Sequence, residues 1–112
     1  MRTAKNSATA PTGFTFLTNH AHVLLLISRN GDIRMREMSI TVGITERAVQ
    51  RIVEELSIAG YLVVSRVGRR NHYQVVLELP LRHPVEADRS IGDLIQRLQI
   101  SIPSSSLIMS SP

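Results

Sequence analysis

Residues 35–56 read MREMSITVGITERAVQRIVEEL, and this stretch decides the fold. Met35 to Val42 predicts a short helix, with Met38 and Val42 four residues apart on one face. Gly43 stops it, because a tight turn at a helix end wants a residue that tolerates positive φ. Thr45 then offers an oxygen to the free N–H groups of a second helix, and Glu46 sets negative charge against the positive end of its dipole. That helix is predicted to run to Ala59, where Gly60 ends it. At roughly 100° per residue, Ala48, Val49, Ile52, Val53 and Leu56 fall in one sector, and Glu46, Arg47, Gln50, Arg51 and Glu54 fill the opposite one. Helices joined by so short a turn cross closely. Ser39 is small enough for the crossing, Val42 and Ile44 can plug the corner, and Val49 and Ile52 turn inward from the second helix.

Outward toward the N-terminus, Asn30-Gly31 ends a predicted helix over Asn19–Arg29 that starts behind Thr18 as N-cap. Its run Val23-Leu24-Leu25-Leu26-Ile27 is apolar all the way round, so burial on more than one side is expected, with Leu24 and Ile27 facing a second subunit. After the Gly31-Asp32 turn, Ile33-Arg34 could form a one-pair strand. Phe14 and Phe16 mark the entry to order, and residues 1–13, rich in Thr, Ala, Ser and Pro, are expected to be a disordered arm.

Outward toward the C-terminus, Tyr61–Val67 and His72–Leu79 alternate and are rich in β-branched residues. Gly68-Arg69-Arg70-Asn71 between them predicts a hairpin with a four-residue basic tip. Pro80-Leu81-Arg82-His83-Pro84 is an extended connector, and Ser90 caps a last helix with Asp93 as its reciprocal partner. Ile91, Leu94, Ile95, Leu98 and Ile102 make one narrow apolar seam along it. That seam packs on the chain's own core or forms a subunit interface, and the interface is the expectation. The tail 103–112 is Ser- and Pro-rich and is expected to be flexible.

A helix-turn-helix followed by two strands with a basic tip describes a winged helix-turn-helix: an α+β, mainly α fold, with a three-helix core, a β-hairpin wing and an extra C-terminal helix. The predicted division is residues 14–80 as this domain and 81–102 as connector and dimerising helix. Arginine, glutamine and glutamate are the residue types that read base edges in a major groove. Glu46, Arg47, Gln50 and Arg51 are therefore candidates for bases, with Glu46 suited to accept from cytosine. Thr45, Arg34, Arg36 and the wing residues Arg66, Arg69, Arg70, Asn71 and His72 are candidates for the phosphate backbone or minor groove. A solvated helix face and a solvated turn would use similar residues, but Gly68 and Asn71 already supply the turn chemistry that two adjacent arginines do not.

The charge pattern agrees. The net charge is +4, and residues 29–72 hold eight arginines against five acids, whereas residues 73–112 hold three against four. Twelve of the thirteen basic residues are arginine, which suits phosphate and guanine or reflects codon composition. The chain has no cysteine, so disulfides and thiolate metal sites are excluded. His20 and His22 point to different sides of their helix, His72 and His83 lack partners at ligand spacing, and no metal or cofactor is expected. No nucleophile elbow, phosphate-binding glycine loop or paired-carboxylate motif occurs, so the chain reads as no enzyme. The longest apolar run is too short to cross a bilayer, and Arg2 and Lys5 precede no apolar region; no membrane partner and a cytoplasmic location are expected.

The run Ile44-Thr45-Glu46-Arg47-Ala48-Val49-Gln50-Arg51-Ile52-Val53, then Leu56, Ala59-Gly60-Tyr61 and Gly68-Arg69-Arg70-Asn71-His72-Tyr73, resembles the MarR/ArsR-type winged-helix regulators of bacteria and archaea. Phe16-Leu17-Thr18-Asn19-His20 and Pro80-Leu81-Arg82-His83-Pro84 resemble flanking motifs of a short branch of that family. The resemblance covers residues 14–98. It implies a homodimer, a recognition helix over Thr45–Ala59 and a wing over Val67–His72. The chain departs from typical MarR proteins in lacking their long C-terminal dimerisation helices, and from metal-sensing ArsR proteins in lacking cysteine, and no small-molecule effector is assigned. The expected function is sequence-specific binding of double-stranded DNA by a dimeric transcriptional regulator. The alternative is a winged helix that serves as a protein-interaction module, docking through Leu107-Ile108-Met109.

Overall fold

The computed structural model describes residues 13–99. The N-terminal arm before Gly13, Ile102 of the apolar seam and the tail 103–112 lie outside the described residues. The chain divides into two compact units, one up to Val75 and one from Val76 on. The elements are α1 (Asn19–Arg29), α2 (Met35–Val42), α3 (Glu46–Ile58), β1 (Leu62–Val67), β2 (Arg70–Val75) and α4 (Ile91–Gln99).

In the first unit, local side-chain chemistry sets each helix boundary. Thr18 Oγ1 accepts from Ala21 N at 3.2 Å and opens α1. Glu37 accepts from Arg34 N at 3.1 Å and opens α2. Gly43, at φ 87°, donates to Ser39 O at 2.8 Å and closes α2 in the left-handed conformation. Thr45 Oγ1 then accepts from Ala48 N at 3.0 Å, and α3 runs to Ile58 with Ala59 as its C-cap.

The three helices and the hairpin pack on one another, α1 against α2, α3 and β2, and α3 against β1. Val23, Ile27, Met38 and Val49 are essentially fully buried. Val49, Ile52, Val53 and Leu56 of α3 all turn inward, as the helix wheel requires. Ser39 is buried in α2 with its hydroxyl donating to Arg36 O at 2.8 Å, so its burial leaves no unpaired polar group. Of the apolar run of α1, Val23, Leu24, Leu25 and Ile27 are buried inside one chain and Leu26 is half-buried. Leu24 and Ile27, expected at a subunit interface, are 4% and 2% exposed.

The hairpin differs from expectation in register. β1 and β2 pair antiparallel from Leu62↔Val75 to Val67↔Arg70, so the turn is Gly68-Arg69 alone and Arg70 and Asn71 belong to a strand. Gly68 has φ 64°, and the two-residue turns that match strand twist need positive φ at this first central position. No strand forms at Ile33-Arg34. The edge of β2 is instead tied by Tyr73 N donating to Gly31 O at 2.8 Å.

β2 also ends at Val75, short of Leu79, because the next carbonyls have other partners. In the second unit Gly92 N donates to Leu77 O and Ile91 N to Leu79 O, each at 2.9 Å. Leu81 N donates to Arg89 O, and Pro80 bridges Ser90. The N–H groups at the start of α4 thus capture this segment. Ser90 and Asp93 form the reciprocal cap: Ser90 N donates to Asp93 Oδ2 at 2.9 Å, and Asp93 N to Ser90 Oγ at 3.1 Å. Along the seam Ile91 and Ile95 are buried, while Leu94 and Leu98 are half-buried. Three helices, a hairpin after the third and one further helix constitute a winged helix-turn-helix with a C-terminal extension.

Candidate nucleic-acid interface

Burying Val49, Ile52, Val53 and Leu56 turns the opposite side of α3 outward. Glu46, Arg47, Gln50, Arg51 and Glu54 are all exposed there, and Thr45 stands exposed at the entry. The first turns of α3 therefore present two guanidinium groups and one amide on a helix end with no apolar side chain between them. Further along, the face becomes acidic at Glu54 and Glu55. Glu55 accepts a hydrogen bond from His20 Nε2 at 2.7 Å, joining the end of α3 to the start of α1. That hydrogen bond holds the Glu55 carboxyl below the ordinary carboxylate range, against the opposing effect of burial and with help from the charges of His20 and Arg51.

Arg34 and Arg36, at the start of α2, are exposed, as are Arg66 on β1, Arg69 in the turn and Arg70 on β2. Asn71 and His72 are half-buried. Among the described residues the ion pairs are His20–Glu55 and His72–Asp32, so the arginines of this surface carry no acid within ion-pair distance.

The fold draws several of these residues together at the base of the wing. Arg70 Nη2 donates to the Asp32 carbonyl at 2.8 Å, and His72 Nδ1 to Asp32 Oδ1, also at 2.8 Å. With the Tyr73–Gly31 backbone bond, three ties pin β2 to the α1–α2 turn, so the wing is held at its root as well as along β1. A cavity of about 420 Å³ opens beside these ties, lined by Arg34, Arg69, Arg70 and Asn71 among others. Arg70 and His72 are thus anchoring residues first, a role that sequence alone does not show. Asp32, Gly31 and Tyr73, which hold the wing in place, are absent from the sequence-derived candidates. Their signal is spatial, because nothing in the spacing of Asp32 from His72 marks them as neighbours. Arg36 and Arg66 stand apart from these ties, exposed on α2 and β1.

Among the described residues no group of three His, Asp or Glu side chains is arranged to hold a metal ion. No described helix is long and apolar enough to cross a membrane.

No protein-family model matches the chain, and no curated protein matches it in sequence. Among solved structures, the chain is similar to the crystal structure of the zinc-dependent MarR family transcriptional regulator AdcR in its Zn(II)-bound state. The identity is 17% and the TM-score 0.43, over 93% of this chain and 75% of that one.

Proposed function

We propose that this chain is a transcriptional regulator that binds double-stranded DNA as a homodimer. In this reading α3 lies in the major groove, where Glu46, Arg47, Gln50 and Arg51 reach base edges. Thr45, Arg34, Arg36 and the wing residues Arg66, Arg69, Arg70, Asn71 and His72 meet the backbone or minor groove. The observation that carries the reading is the outward face of α3: Arg47, Gln50 and Arg51 are exposed at its start while every buried apolar residue lies on the other side. A cytoplasmic location belongs to the same reading.

The test is salt dependence. Binding to duplex DNA, followed between about 50 and 200 mM salt, should weaken with a slope of roughly −0.9 per phosphate contact. Arg66→Ala/Arg69→Ala removes two exposed wing cations without touching the ties to Asp32, and should flatten the slope by nearly two. A duplex affinity that ignores salt in the parent chain overturns the proposal and favours a protein-interaction module.

A further inference from the structure

The cavity at the wing base carries chemistry beyond a basic surface. Three guanidinium groups line it from separate elements: Arg34 from the start of α2, Arg69 from the hairpin turn and Arg70 from β2. The acid in its lining, Asp32, is engaged from both ends, its carboxylate by His72 and its carbonyl by Arg70. Arg34 and Arg69 make no ion pair among the described residues. Tyr73, only 3% exposed, also lines the cavity. Its hydroxyl is 3.3 Å from Asn71 Nδ2, at the edge of the same cavity. Arginines from three elements without an acid paired to them ask for an anionic oxygen.

We propose that this cavity is a seat for a phosphate group, held by Arg34 and Arg69 and hydrogen-bonded by the Tyr73 hydroxyl. The cations come from a helix start, a turn and a strand, and a phosphate offers each of them a separate oxygen. Arg70 is fixed by its bond to Asp32 and keeps further N–H donors for the same anion. At about 420 Å³ the cavity has room for more than the bare ion. The phosphate is either a diester of the DNA backbone or part of a small free phosphate compound, and only the first source rests on the DNA-binding reading.

The experiment uses the full chain, inorganic phosphate and a duplex. Phosphate is titrated against a chloride blank at constant ionic strength, following the arginine Nε–H and backbone amide resonances by NMR. Saturable shifts at Arg34, Arg69 and Asn71 are expected, with affinity about tenfold weaker in Arg34→Ala and Tyr73→Phe, each losing a hydrogen bond to a charged group. Arg97→Ala, an exposed arginine outside this cluster, should bind phosphate as the parent does. Melting curves confirm that each variant folds, and Arg69→Ala, which leaves the wing ties intact, repeats the measurement should Tyr73→Phe unfold. Shifts no larger than chloride gives, or equal weakening by Arg97→Ala, overturn the seat. Duplex that displaces phosphate assigns the seat to the DNA backbone; phosphate that stays bound beside duplex assigns it to a free compound. Saturable phosphate binding in a chain whose duplex binding proves salt-insensitive sinks the DNA reading and leaves the seat standing.

Discussion

Gly31 and Asp93 report on this fold in different ways. Gly31 reads in the sequence as half of a helix stop. In the structure a Cβ there would lie 2.5 Å from the Tyr73 carbonyl and 3.0 Å from the His72 ring. The nearer atom is backbone and cannot swing away, so Gly31→Ala must push β2 off the α1–α2 turn. We expect a loss of about 1–3 kcal/mol in urea unfolding; a variant as stable as the parent would rule out the close approach. Asp93, by contrast, was legible, because a serine three residues before an acid is a cap signature. The hydrogen bond from Ser90 N lowers the Asp93 carboxyl from its ordinary value, the Ser90 hydroxyl and the Arg89 charge adding to it while burial opposes. A depressed carboxyl stabilises the fold above its ordinary value, and the benefit disappears as pH falls through the folded value. Asp93→Asn should therefore lower the urea midpoint at neutral pH and leave it unchanged well under pH 3.8. Equal loss at both pH values would show that the carboxylate charge is irrelevant to the cap.

At the scale of elements, sequence reading succeeds where boundaries are local and fails where they are negotiated between segments. The starts of α1 and α3 depend on Thr18 and Thr45 acting within one turn, and these caps mark them in the sequence, whereas α2 is opened by Glu37, whose reach back to Arg34 N the sequence reading does not use. The ends of β2 depend on partners elsewhere. Val67 pairs with Arg70, which shortens the turn to two residues, and the carbonyls of Leu77 and Leu79 bond to Gly92 and Ile91 instead of extending the hairpin. Neither competition is visible in alternation alone. The turn makes its own prediction. A Cβ on Gly68 meets nothing within 4 Å, so Gly68→Ala pays only for holding an L-residue at φ 64°. That cost is about 1–2 kcal/mol, and Gly68→Asn should lose less because asparagine visits this region more readily. Equal losses for the two variants in thermal unfolding would mean that the turn does not keep this backbone conformation.

For the molecule as a whole, positive charge is concentrated in the first of the two units. Up to Val75 there are ten basic residues against five acids, and from Val76 three against four. The composition shows this partition directly, and the positive side is the one the proposed DNA contact uses. Self-association is harder to read, because an apolar seam looks the same whether it faces the chain's own interior or a twin. The structure narrows the choice. Ile91 and Ile95 are already buried in one chain, whereas Leu94 is only half-buried and is the position at which the seam is tested. If the homodimer uses it, sedimentation equilibrium should give twice the chain mass, and Leu94→Glu should return a single folded chain, since it places a charge where an apolar contact was required. On DNA the dimer should protect two patches about 34 Å apart on one face of the duplex. The Leu94→Glu chain should keep one patch and about half the salt slope. A parent chain that sediments as a monomer while still protecting both patches would remove α4 from the interface and leave DNA itself as the element that pairs the two copies.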